Sequence, residues 1–117
     1  MENYFVTITG VNNYYGKKPF EIGRIIRLSK DYHNEYDQDA IKAELPYIGT
    51  VGYVANSTNT VFKGTHSASK MYDKIGEYTY AYVMFVTHSS VSALVVSPEH
   101  VEKSDDNQEY PVAKIQL

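Results

Sequence analysis

Six short runs of β-branched and aromatic residues, separated by turn formers and by one stretch of different period, constrain the fold more than any other feature of this chain. Tyr4 to Thr9, Gly23 to Ser29, Ala40 to Leu45, Thr50 to Val54, Tyr78 to Thr87 and Val91 to Val96 each have the composition of a β-strand. Gly10 ends the first run, Pro46 and Gly49 set a hairpin between the third and fourth, and His88-Ser89-Ser90 turns the fifth into the sixth. Between Asn56 and Gly76 the spacing changes. Ala68, Met71, Tyr72 and Ile75 recur at i, i+3, i+4 and i+7, the stripe of a helix that Thr65 is placed to cap and Gly76 to stop. Asn56 and Ser57 are placed to cap an earlier short turn through Val61 and Phe62.

A chain of 117 residues is the size of one domain and buries a core without staples. The expected fold is mainly β with an α insertion: a small OB-like or SH3-like β-barrel of about six strands with two short helices. Residues 1 to 98 would form the barrel domain and 99 to 117 an acidic C-terminal segment, whose Ala113, Ile115 and Leu117 alternate as an added edge strand would. The absence of cysteine excludes disulfides, thiolate zinc sites and a cysteine nucleophile. The start MENYFVTITG has neither a basic nor an apolar leader region, and the longest apolar run, Tyr80 to Val86, is too short for a bilayer. A cytoplasmic protein with no membrane partner is expected.

Charge narrows the function classes. The net charge is −3, yet residues 1 to 98 hold nine Lys or Arg and nine Asp or Glu, so the deficit lies in the final segment. Coating a duplex normally rests on surplus lysine and arginine against the phosphates, and that class is not expected here. One local basic stretch, Lys17, Lys18, Arg24, Arg27 and Lys30, faces only Glu21 and then gives way to Asp31, Glu35, Asp37 and Asp39. Such a stretch serves either as a solvated strand face or as a small contact to one nucleic-acid strand. Within a strand Arg24 and Arg27 point to opposite faces, so only one of them can share a given surface.

Four constellations could carry chemistry. In NEYDQDAIKAEL, Asn34 and Asp37 suit a turn, accepting hydrogen bonds from amides one or two residues on. Equally, Asp37 could accept from a sugar hydroxyl while the Tyr36 ring stacks on a base. A carboxylate repels phosphate and welcomes a hydroxyl, so that chemistry points to an unphosphorylated terminus. Glu35, Asp37 and Asp39 alternate, but the glycine and terminal glutamate of a calcium loop are missing, and the four histidines are dispersed; no metal or other cofactor is expected. Tyr78, Tyr80 and Tyr82 share one strand face, which is either a half-buried barrel wall or a stacking row. Tyr14 and Tyr15, in a loop, have less structural reason to be aromatic. Ser67, Ser69, Ser89 and Ser90 lie near histidines without a nucleophile elbow or a phosphate-cradling loop, so no enzymatic activity is expected.

Four blocks, FVTITGVNNYYG, FEIGRIIRL, NEYDQDAIKAEL and VGYVANS, give the chain from Phe5 to about Val96 a resemblance to a stand-alone, bacterial-type HIRAN domain. The central block is the most specific, with Asn34, Tyr36, Asp37, Ala40, Ile41 and Lys42 at the family's spacing and Gly52 and Tyr53 following at the expected distance. The resemblance implies an OB-type barrel that binds the 3′ end of single-stranded DNA, in a repair or mobile-element context, with Tyr36 and Asp37 holding the terminal nucleotide. The implied surface comprises Tyr36, Asp37, Asn12, Asn13, Tyr14, Tyr15, Lys17, Lys18, Arg24, Tyr53 and Asn56, facing a single-stranded DNA or RNA end. Where DNA-binding members carry an arginine and an aromatic in the first loop, Asn12 and Asn13 stand here with Tyr14 next. Lysines of the family near the helix start are Ala55 and Asn56, and the proline after the first asparagine is Glu35. No motor, nuclease or zinc-finger region lies in these residues, so a helicase or nuclease partner would supply any activity on DNA. The alternatives are a protein-interaction or regulatory module that kept the fold while losing DNA contacts, and a small-ligand or metal-binding barrel.

Overall fold

The computed structural model describes residues 3–57, 64–88, 90–102 and 112–113. Strand β1 (Phe5–Thr9) is followed by β2 (Ile25–Lys30), β3 (Ile41–Leu45), β4 (Gly49–Val54), helix α1 (Ala68–Tyr72), β5 (Tyr78–Val86) and β6 (Val91–Val96). The six strands close into an antiparallel barrel in the order β1-β4-β3-β2-β5-β6, and β6 returns to β1. Closure leaves no free edge, which is how a short all-antiparallel chain avoids edge-to-edge association. All six runs expected as strands form strands, Val91–Val96 with the same ends and the others with ends shifted by at most two residues.

Inward-facing Val6, Ile8, Ile26, Leu28, Ile41, Val51, Val83 and Val91 fill the barrel. Each such side chain contributes on the order of 1.5–3 kcal/mol through removal of apolar surface from water. Ala68 and Met71 of α1 join the same core, so the helical stripe does turn inward. Register irregularities in the β3–β4 pair between Ala43 and Glu44, and in the β5–β6 pair between Val83 and Phe85, bend the sheet; Phe85 ends up exposed beyond the second.

The helix differs from expectation at both ends. Its N-cap is Ser67, whose hydroxyl accepts from the Lys70 amide at 3.3 Å, while the Thr65 hydroxyl bonds the Thr7 hydroxyl at 2.9 Å instead of capping. The helix stops at Tyr72 rather than near Gly76, because the Lys74 amide bonds back to the Met71 carbonyl at 2.9 Å, a tighter turn that ends the α-helical ladder. Short 3-10 turns occur at Val11–Asn13 and Pro98–His100. The expected turn through Val61 and Phe62 lies outside the described residues. Arg24 precedes β2, so its direction is set by a turn and not by strand alternation. Beyond the barrel, Val101–Glu102 (β7) pairs with Val112–Ala113 (β8) in a separate two-stranded ribbon; Ile115 and Leu117 lie outside the described residues.

Candidate nucleic-acid interface

The loop joining β2 to β3 is built by its own side chains. Asp31 closes its neck, the amide bonding the Ala40 carbonyl at 2.9 Å. Asn34 Oδ1 accepts from the amides of both Tyr36 and Asp37 at 2.9 Å, which sets the turn. This leaves the Tyr36 ring 95% exposed, with nothing apolar to justify it. Asp37 is only half-exposed. Its Oδ1 accepts from the Asp39 amide at 2.9 Å and its Oδ2 from Asn56 Nδ2 at 2.8 Å. The turn-building role of Asp37 is therefore real, yet each carboxylate oxygen keeps a second acceptor site for a ligand hydroxyl.

Asn56 lies just beyond β4 and carries the contact onward. Its Oδ1 accepts from the Ser69 amide at 2.9 Å, and the Ser69 hydroxyl donates to Asp39 Oδ2 at 3.0 Å. The four residues Asp37, Asn56, Ser69 and Asp39 form a hydrogen-bonded ring, closed by the backbone amides of Ser69 and Asp39, that joins the β2–β3 loop, the end of β4 and the first turn of α1. Sequence patterns did not mark Ser69 for this role, since 13 residues separate it from Asn56 and 30 from Asp39.

An aromatic pair stands on the outer face of β4. The Tyr53 hydroxyl donates to Asp31 Oδ2 at 2.7 Å, and the Tyr14 ring lies 6.4 Å from the Tyr53 ring at 40°. Burial pushes the Tyr53 phenol above its ordinary value, and the Asp31 bond adds to the shift. In return the Tyr53 bond holds the Asp31 carboxyl below the ordinary value against its own burial, helped by the Asn34 side chain, the His33 amide and the charge of Lys42. Tyr14 reaches Tyr53 because Gly52 has no Cβ. A Cβ there would lie 2.8 Å from Ile8 Cγ2, 3.0 Å from the Thr9 carbonyl oxygen and 3.2 Å from Val11 Cγ1, blocking the approach of the first loop to β4.

A family model for the HIRAN domain matches residues 1–99. The chain belongs to the HIRAN domain family. HIRAN domains are in general DNA-binding modules and not catalytic ones. A crystal structure of a protein from Lactobacillus plantarum, a structural-genomics target, shares the fold at 16% identity and a TM-score of 0.56, over 80% of this chain and 93% of that one. No curated protein matches the sequence significantly. No helix among the described residues is long and apolar enough to cross a membrane.

In this HIRAN barrel the sequence-predicted residues fall into three groups. Tyr36, Asp37 and Asn56 are brought together by hydrogen bonds, and Tyr14 and Tyr53 adjoin them through Asp31 and its hydrogen-bonded neighbour Asn34. Asn12, Asn13 and Tyr15 are exposed around the first loop, with Lys18 exposed beside them. Lys17 and Arg24 are both engaged by protein acceptors. Lys17 Nζ donates to the carbonyls of Thr87 at 2.9 Å and His88 at 2.6 Å, tying the loop to the β5–β6 turn. Arg24 donates to the Pro19 carbonyl at 2.9 Å and pairs with Glu21 at 3.3 Å.

The remaining cations of the basic stretch are engaged elsewhere. Arg27 lies 4.4 Å over the Tyr78 ring and 3.7 Å from Glu44, while Lys30 lies 4.3 Å over Tyr72. The tyrosine row of β5 is a packed wall: Tyr80 is 6% exposed and meets Tyr78 edge-on at 5.7 Å. Among the described residues no three metal-ligating side chains gather as a site, and Asp37 and Asp39 both accept from protein donors.

Proposed function

We propose that this HIRAN domain is a non-catalytic module that binds the 3′ end of a single-stranded nucleic acid, DNA in the first instance. The observation that carries this is the pairing of an exposed Tyr36 ring with a half-buried Asp37 carboxylate on one hydrogen-bonded turn. An exposed aromatic with no packing role, on a backbone fixed by side-chain hydrogen bonds, is a stacking platform for a base. The neighbouring carboxylate accepts from a terminal sugar hydroxyl and repels a terminal phosphate. Tyr14 and Tyr53 offer a surface for the next nucleotide, and Asn12, Asn13, Tyr15 and Lys18 flank it. With Lys17 and Arg24 held by carbonyls, few phosphates are neutralised and the salt dependence of binding is shallow. A helicase or nuclease acting on the same end would supply the chemistry, in repair or on a mobile element.

Fluorescence anisotropy with oligonucleotides ending in a 3′-hydroxyl, a 3′-phosphate or a blocked 3′ terminus tests this. Binding that prefers the 3′-hydroxyl supports it. Equal binding to all three, or none, sinks it.

A further inference from the structure

The Asn56 carboxamide spans two elements, the β2–β3 loop and α1, that no backbone hydrogen bond joins to each other among the described residues. Its Nδ2 donates to Asp37 Oδ2 at 2.8 Å, 19 residues away, and its Oδ1 accepts from the Ser69 amide at 2.9 Å, 13 residues away in the other direction. The residue is itself anchored to the barrel. The neighbouring Ala55 is fully buried, its amide bonds the Thr7 carbonyl at 2.8 Å, and its carbonyl accepts from the Ala68 amide at 3.0 Å. The Asn56 amide therefore ties Asp37, at the centre of the exposed β2–β3 turn, to the barrel and to α1, beside the Ser69 bond to Asp39 and the Tyr53 bond at the loop's neck.

We propose that Asn56 is a positioning residue that fixes the Asp37 carboxylate, and with it the Tyr36 turn, against the first turn of α1. This rests on the function proposed above for its consequence in binding, but the bridge is measurable without any ligand. The residue type matters because each end of the bridge asks for something different. Lysine could donate to Asp37 but could not accept from Ser69. Aspartate could accept from Ser69 but would oppose Asp37, charge against charge. Leucine would do neither and would leave the Ser69 amide and one Asp37 oxygen without their partner. A neutral amide also leaves the carboxylate's charge uncompensated, which keeps it selective for a hydroxyl over a phosphate.

The test compares the wild type with Asn56→Asp and with the exchange Asp37→Asn/Asn56→Asp. Two carboxylates at hydrogen-bond distance cannot both ionise readily, so they share a proton on acidification. Asn56→Asp is expected to loosen the turn near neutral pH and to recover it on acidification, as the two carboxylates come to share a proton. Amide hydrogen exchange at Asp39, corrected for its intrinsic rate, reads this without ligand, with an expected acceleration of about ten-fold or more at pH 8. Affinity for an oligodeoxythymidine with a free 3′-hydroxyl is expected to follow the same profile.

The exchanged pair restores the bridge with its donor and acceptor reversed. It is expected to recover Asp39 protection while leaving affinity about ten-fold or more below wild type, because the carboxylate has moved. Wild-type protection at pH 8 in Asn56→Asp would overturn the proposal, as would full recovery of binding in the exchanged pair. If the wild type binds no oligonucleotide while exchange behaves as described, the functional proposal falls and the positioning role of Asn56 stands.

Discussion

The Tyr53 hydroxyl donates to Asp31 Oδ2 at 2.7 Å, joining the outer face of β4 to the neck of the β2–β3 loop across 22 residues of sequence. Removing the hydroxyl by Tyr53→Phe should cost about 1–2 kcal/mol at neutral pH, since the bond is to an ionised acceptor. The carboxyl of Asp31 is held below its ordinary value in the folded state, so this stabilisation is present above that ordinary value and lost as pH falls through the lowered one. Urea unfolding at pH 7 and below about pH 4 should show the gap between wild type and variant narrowing in acid. A gap that widened instead would contradict the assignment.

Gly52 is required for space and not for backbone freedom. Gly52→Ala would place a methyl 2.8 Å from Ile8 Cγ2 and 3.0 Å from the Thr9 carbonyl oxygen, a backbone atom that cannot swing aside. The expected loss is about 1–3 kcal/mol, measured by denaturant unfolding. Loss of the close Tyr14 to Tyr53 ring contact in the same variant would appear as altered ring chemical shifts.

At the other end of β4, Tyr47 holds a φ of 71°, a left-handed conformation that a bulky side chain rarely adopts. Its ring is 78% exposed, so little packing offsets the strain. Tyr47→Asn should raise stability by about 0.5–1 kcal/mol, because asparagine tolerates this conformation without the unfolded-state entropy that glycine would add. Thermal unfolding checks the sign.

Local periodicity revealed the strands, and tertiary pairing decided the site. The β-branched run of Val91 to Val96 and the alternation of Ile41 to Leu45 are written in consecutive residues, which is why these strands and the barrel class were legible. Thr65 and Ser67 are both competent caps two residues apart, and the choice fell to Ser67 because the Thr65 hydroxyl met Thr7 across 58 residues. The basic stretch looked coherent in sequence, but Lys17 reaches the β5–β6 turn 70 residues away. Tyr36 and Asp37 were visible as a motif. Their dependence on Asn56 and Ser69 was not, since nothing local brings those side chains together.

Tyr36 separates binding from folding. With a 95% exposed ring, Tyr36→Ala should leave the melting temperature unchanged. Its affinity for a 3′-hydroxyl oligonucleotide should fall by about five- to a hundred-fold, the loss of one base-stacking contact. Differential scanning fluorimetry and anisotropy on the same preparation provide the pair of numbers.

The most direct measurement is an amide chemical-shift titration of the wild-type domain with a short single strand carrying a free 3′-hydroxyl. The account predicts saturable shifts at Asn34 to Asp39, Asn56 and Tyr53, with none at the Tyr47 to Gly49 turn. Shifts confined to that turn or to the tyrosine wall of β5, or no saturable shifts at all, would contradict it.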